Sequence, residues 1–218
     1  MSKYKAIIWD LDGTLLDTLA DLAISTNYAL QKNGYPTRTT DEVRSFVGNG
    51  ILQLMKLVVP GEKSVERFEK TFNDFKVFYG EHCEDNTKPY DGIDLFLKKA
   101  TEHGICMAIV SNKADFAVKK LASKFFGETI RVAIGENEAA GIRKKPAPEM
   151  VFKALEELGI EKKDAVYIGD SEVDVATARN AGMDCLSVTW GFRTEEQLLK
   201  AGATHLIHTE AELENYLF

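Results

Sequence analysis

With 218 residues, 44% of them hydrophobic, the chain is long enough for one sizeable core, or for a main domain with a smaller one built into it. Its net charge of -7, with acids and bases interleaved throughout, argues against a broad electrostatic surface for nucleic acid, so an anionic substrate needs locally placed cations. No apolar run approaches the ~18 residues of a membrane span, the N-terminus lacks the apolar core and cleavage site of a signal peptide, and Cys83, Cys106 and Cys185 are too scattered for a zinc site or a disulfide framework. The expected location is the cytoplasm.

In chain order, the first strand candidate runs from Tyr4 to Trp9 and ends on Asp10. From about Leu15 to Lys88 the chain shows helical periods and no strand. Leu19, Leu22, Ala23 and Leu30 mark one helix, closing at Asn33-Gly34; Thr40 is read as the cap of a second, with Val43, Phe46 and Val47. Ile51, Leu54, Met55 and Val58 mark a third, and Ser64 opens a long fourth that carries Val65, Phe68, Phe72, Phe75 and Tyr79. The phenylalanine run reads as core.

Beyond Lys88, short β-rich runs alternate with amphipathic helices. Strands are predicted at Ile105 to Val110, Arg131 to Gly135, Ala165 to Gly169, Cys185 to Trp190 and His205 to His208. Helices are predicted around Ile93 to Glu102, Ala114 to Lys124, Pro148 to Leu158, Val173 to Ala181 and Thr194 to Lys200. The pattern predicts an α/β fold, a doubly wound parallel sheet formed by residues 1–14 and 89–218, with residues 15–88 as an inserted helical domain over the sheet edge.

In such sheets active residues collect at the carboxyl ends of the strands, which here carry Asp10, Ser111 and Asp170. A carboxylate such as Asp10 can attack phosphorus and split one hard hydrolysis into two easier steps. A second, Asp12, can protonate the leaving alkoxide and then deprotonate water. The plain alternative is a turn after a strand, for which Asp and Gly are common.

In the run Ser111-Asn112-Lys113, Ser111 with neighbouring backbone N–H groups can help to surround a phosphoryl group with donors, or Ser111 and Asn112 can cap the next helix. Lys145, ahead of Pro146 and Pro148, has a restricted direction and suits a phosphate or paired carboxylates; a solvated basic turn is the other reading. Magnesium takes one or two carboxylates, and Asp170 joined to Asp10 forms such a site, with the Asp12 backbone carbonyl beside them. Asp174 lies one helical turn beyond Asp170 and can orient Lys145 or bound water. Glu172 reads as an acid favoured by the helix dipole. Gly48, Asn49 and Gly50 form a candidate substrate-facing loop, or a mere helix-to-helix turn. His82, His103, His205 and His208 lie in none of these stretches.

Taken together, Asp10-Leu11-Asp12-Gly13-Thr14, Val110-Ser111-Asn112, Lys145-Pro146-Ala147-Pro148 and Gly169-Asp170-Ser171-Glu172-Val173-Asp174 resemble the four motifs of the haloacid dehalogenase superfamily. Leu15 to Thr18, Val47 to Gly50 and Val188 to Gly191 resemble its phosphoglycolate-phosphatase-like branch. The resemblance implies a Rossmann-like core with a helical cap, and a small phosphorylated metabolite as substrate. It implies Asp10 as nucleophile, Asp12 as acid and base, Ser111, Asn112 and Lys145 on the phosphoryl group, and Mg2+ at Asp10, Asp12 and Asp170, with Thr14 and Asp174 in support. Pro89-Tyr90-Asp91-Gly92 departs from the branch's usual Pro-Tyr-Pro-Gly, at a hinge or rim.

A sugar-phosphate mutase, an inorganic pyrophosphatase and a phosphorylatable signalling module share parts of this chemistry. Val47-Gly48-Asn49-Gly50 does not match the Gly-x-Ser-Arg stretch usual in the mutases. Asp12, poised to activate water, argues against a long-lived acyl-phosphate. The chain is expected to be a monomer or homodimer with no nucleic-acid or membrane partner.

Overall fold

In the computed structural model of the chain, which describes residues 3–61, 64–137 and 141–218, Ala6-Ile7-Ile8-Trp9 forms the central strand β1 (Ala6–Trp9), buried throughout. Ile7 and Trp9 join the apolar core on one side of the sheet, whereas Ala6 and Ile8 join that on the other. This is the period-two division expected of a strand covered on both faces. Met1, Ser2, Glu62, Lys63 and residues 138–140 of the predicted segments lie outside the described residues.

Six described strands form one parallel sheet in the order β5-β4-β1-β6-β7-β8. They are β4 (Cys106–Ala114), β5 (Val132–Glu136), β6 (Ala165–Gly169), β7 (Asp184–Val188) and β8 (Leu206–Ile207) besides β1. The chain fills the sheet outward from β1 on one side, then returns to fill the other, so the crevice at the carboxyl end of β1 is the topological switch point. The predicted α/β, doubly wound architecture is what the chain adopts.

Between β1 and β4 the chain leaves the sheet through β2 (Leu16–Asp17), forms α1 (Leu19–Lys32), α2 (Thr40–Phe46), α3 (Ile51–Val58) and α4 (Val65–His82), and returns through β3 (Lys88–Pro89). β2 and β3 pair antiparallel, which brings exit and return side by side. The four helices share an apolar cluster to which Phe192 is the one contributor of the rest of the chain among the described residues. Tyr28 of α1 stacks on Phe78 of α4, with ring centroids 4.0 Å apart. The cap of α2 is Thr39, not Thr40: Thr39 and Glu42 close a capping box.

Helices α5 (Ile93–Glu102), α6 (Asp115–Phe126), α7 (Glu149–Leu158), α8 (Glu172–Ala181) and α9 (Glu195–Lys200) fall where the periodicity predicts them. Strand β4 differs: it continues through Ser111, Asn112 and Lys113 to Ala114, with a register shift against β5 after Val110. Those three residues therefore lie on an irregular strand end and cap no helix; the residue that precedes α6 is Ala114, with no side-chain cap. Irregularities of this kind re-aim side chains next to active sites. A helix the periodicity did not flag, α10 (Glu210–Leu217), closes the chain, capped by Thr209.

Candidate active site

Asp10 follows β1, Ser111 to Lys113 end β4, and Asp170 follows β6, so three adjacent strands deliver their polar ends to one crevice. Lys145 arrives from the loop before α7, and its ammonium lies 2.7 Å from Asp10 Oδ1 and 2.7 Å from Asp174 Oδ1. Tyr167 accepts a third hydrogen bond from it at 3.1 Å and donates to Asp174 Oδ1 at 3.0 Å. Asp174 Oδ2 accepts from the Ser171 hydroxyl and N–H. Asp174 is thus committed to holding Lys145 and the start of α8.

All of these groups are buried, and burial and neighbouring charge together shift Asp10, Asp170 and Lys145. Burial, then Asp174, push Asp10 above the ordinary carboxylate range, against the pull of Lys145. Burial, Asp174 and Asp10 raise Asp170 well above it. Burial works against the charge on Lys145, but Asp10 and Asp174 outweigh it and hold the ammonium above its usual range.

Asp170 is cradled by close backbone. A Cβ on Gly13, which has φ +88°, would fall 2.4 Å from Asp170 Oδ2, and one on Gly191 would meet the same atom. Only glycine fits at either place. The Phe192 N–H donates to Oδ2 at 2.6 Å and the Thr14 hydroxyl to Oδ1 at 3.3 Å.

Carboxylate oxygens of Asp10, Asp170 and Asp174 come within 4.8 Å of one another. Three converging oxygen donors fit a hard cation better than a soft one. Among the described residues Asp174 accepts four hydrogen bonds, against two for Asp170 and one for Asp10, so Asp10 and Asp170 are the pair best able to hold it. The side chain of Asp12 lies outside this cluster, so its expected part in the metal site concerns its backbone carbonyl alone.

Asp12 instead meets a partner that sequence reasoning left without a role. Lys113 donates to Asp12 Oδ1 at 2.6 Å, and the Thr18 hydroxyl donates to the same oxygen at 2.6 Å. Asp12 Oδ2 has no hydrogen-bond partner among the described residues. Burial opposes the charge of Lys113, but Asp12 and Tyr79 together hold it above the usual lysine range. Its ammonium also lies 5.1 Å from the centre of the Tyr79 ring, on α4.

Asn112 spends its side chain on the scaffold. Its Oδ1 accepts from the Lys145 N–H at 2.7 Å, and its Nδ2 donates to the carbonyls of Lys145 and Gly48. Ser111 Oγ accepts from the Lys113 N–H at 3.2 Å. Between these groups and the helical segment lies a cavity of about 40 Å³, room for roughly three waters. Asp10, Asp12, Ser111 and Lys145 line its floor, and Leu22, Val47, Ile51 and Leu54 its roof. Gly48 and Gly50 border it; Asn49 is not among its lining residues. Arg193, unmarked by any sequence motif, borders it as well and pairs with Glu172.

A carboxylate at a switch point, an acid beside it, a buried lysine and a cation-ready pair of aspartates define a hydrolase of the haloacid dehalogenase type. The chain belongs to the haloacid dehalogenase-like hydrolases, whose family profile it matches over residues 7–188. Within that family it is 31% identical over 193 residues to the phosphoglycolate phosphatase of Thiobacillus denitrificans, covering 86% of this chain and 84% of the relative. It is 35% identical over 192 residues to that of Rhodobacter capsulatus, covering 86% and 85%. A crystal structure from Lactobacillus delbrueckii subsp. bulgaricus, provisionally named a phosphoglycolate phosphatase, superposes with a TM-score of 0.92 at 36% identity, over 100% of this chain and 99% of the other.

Proposed function

We propose that the chain is a magnesium-dependent phosphatase that hydrolyses a small phosphomonoester, phosphoglycolate first, through a phospho-aspartate on Asp10. The observation that carries this reading is the arrangement of Asp10: Lys145 holds Oδ1 and orients the carboxylate, while Oδ2 has no protein donor among the described residues and is available to attack phosphorus. Relatives named phosphoglycolate phosphatase, together with the small cavity, support a short leaving group.

In the first half-reaction Asp10 Oδ2 bonds to phosphorus as the ester oxygen leaves, and Asp12 Oδ2 delivers a proton to that oxygen. In the second, Asp12 takes a proton from water, which attacks the same phosphorus and frees Asp10. Lys145 and the Ser111 hydroxyl bind oxygens of the transferring group, where charge spreads in the transition state. Asn112 acts through Lys145, whose backbone it holds on both sides. A magnesium ion at Asp10, Asp170 and the Asp12 carbonyl would neutralise charge between carboxylate and phosphate. Thr14 and Asp174 support these groups from behind.

Residues 1–14 and 89–218 serve as the catalytic core in this reading, and residues 15–88 as a lid that keeps water from the acyl-phosphate. The unpaired state of Cys83, Cys106 and Cys185 supports a reducing compartment such as the cytoplasm.

Assay of the purified chain with magnesium on phosphoglycolate, pyrophosphate, nucleoside monophosphates and hexose phosphates tests the proposal. Preferred release of phosphate from phosphoglycolate is expected. Preference for pyrophosphate, or interconversion of sugar phosphates without release, would replace it.

A further inference from the structure

The turn from Gly191 to Arg193 faces both ways. Its backbone touches the Asp170 carboxylate, through the Phe192 N–H on Oδ2 at 2.6 Å. Its side chains enter the helical segment. Phe192 packs into that segment's apolar cluster. Arg193, only 8% exposed, donates through its guanidinium to Val47 O at 2.7 Å and to Arg44 O at 3.2 Å.

Those two carbonyls lie in the last turn of α2 and at its cap, where a positive charge is favoured; Arg44 O also accepts the Val47 N–H at 3.3 Å. On its other edge the guanidinium is clamped by Glu172, with Nε 2.7 Å from Oε2 and NH2 3.1 Å from Oε1. Glu172 opens α8, two residues after Asp170. A planar fork with five N–H groups can serve a carboxylate on one edge and carbonyls on another; a lysine ammonium cannot. Gly48 has φ +127°, a conformation that favours glycine, while the Arg193 NH2 stands at an ordinary 3.5 Å from where a Cβ would lie. Asn112 holds the neighbouring Gly48 carbonyl at 3.0 Å.

We propose that Arg193, clamped by Glu172, is a specificity-determining residue that fixes the Val47–Gly50 turn over the cavity and so sets the room left for the leaving group. The inference rests on reading that cavity as a phosphatase site. Arg193 touches no reacting atom in this scheme: it acts through the turn, and the turn forms the wall opposite Asp10. Loosening it widens the space beyond the phosphoryl group and leaves Asp10, Asp12 and Lys145 in place. Selection by size therefore weakens.

Amide hydrogen exchange on the full chain, together with kcat/KM for phosphoglycolate and for a hexose phosphate, tests this in Arg193→Lys and Glu172→Gln. Both substitutions keep a polar side chain of similar length and so favour folding. Exchange at residues 47–54 is expected to accelerate on the order of tenfold, with the amides of β1, β4 and β6 unchanged. The preference for phosphoglycolate over the hexose phosphate is expected to fall by about tenfold. Unchanged exchange at 47–54, an unchanged preference, or uniform acceleration along the whole chain would each overturn the proposal. If the unaltered chain hydrolyses neither ester, the phosphatase reading fails. The exchange result then still decides whether Arg193 holds the turn.

Discussion

Lys113 donates to Asp12 Oδ1 at 2.6 Å and joins two motifs that stand 101 positions apart. Thr18 supplies a second donor to the same oxygen, so the carboxylate is held by one edge and offers the other. Oδ2 is therefore the oxygen left for the proton transfer proposed for Asp12.

Lys113→Met removes the buried cation and leaves Thr18 as the only described donor to Asp12. The expected outcome is a fall in kcat on the order of a hundredfold, with KM changed far less, because the support is needed where a proton moves. Steady-state kinetics check this. An unchanged kcat would show that Asp12 works without Lys113.

Asp10 and Asp170 are held above the ordinary carboxylate range by burial and by neighbouring carboxylates. The fold therefore binds protons that the unfolded chain releases, and metal-free protein loses stability as pH rises from the ordinary carboxylate range toward neutrality. In the proposed metal site a divalent cation would take the place of those protons. Magnesium at a hundredfold excess over its Kd is expected to add about 2.7 kcal/mol. Calorimetry with magnesium or with EDTA should show a larger gain in Tm near neutral pH than in mild acid. Equal gains at both would contradict the assignment of the carboxylates.

Asp21, 2% exposed and without an ion-pair partner among the described residues, accepts hydrogen bonds from the backbone and side chains of Asn86 and Thr87 at 2.8–3.0 Å. It ties the first turn of α1 to the returning chain. Asp21→Ala strands those donors and is expected to cost about 1–3 kcal/mol in urea unfolding. A change below a few tenths of a kcal/mol would mean that water replaces the carboxylate.

The residues legible in the sequence are those that end apolar strands. Asp10 and Asp170 follow β1 and β6 directly, and the continuous apolar burial of those strands on both faces fixes where they emerge. Lys113 and Asp12 carry no joint signature, because their contact depends on an irregular end of β4 that shifts register after Val110. Arg193 escaped for a similar reason: two of its partners are backbone carbonyls, which every residue has. The β2–β3 ribbon has two residues a side, too few to show a period. Helix α10 did leave a signal, Thr209 ahead of Glu212 with Leu213 and Leu217 four apart, but over barely two turns at the chain's end.

The proposed mechanism depends above all on covalent chemistry at Asp10. Acid quenching of the chain during turnover of a radiolabelled phosphomonoester with magnesium, followed by peptide mapping, should place the label on the peptide that contains Asp10. Asp10→Asn should carry no label and show no steady-state turnover. Substantial turnover by Asp10→Asn, or label on another residue, would contradict the account.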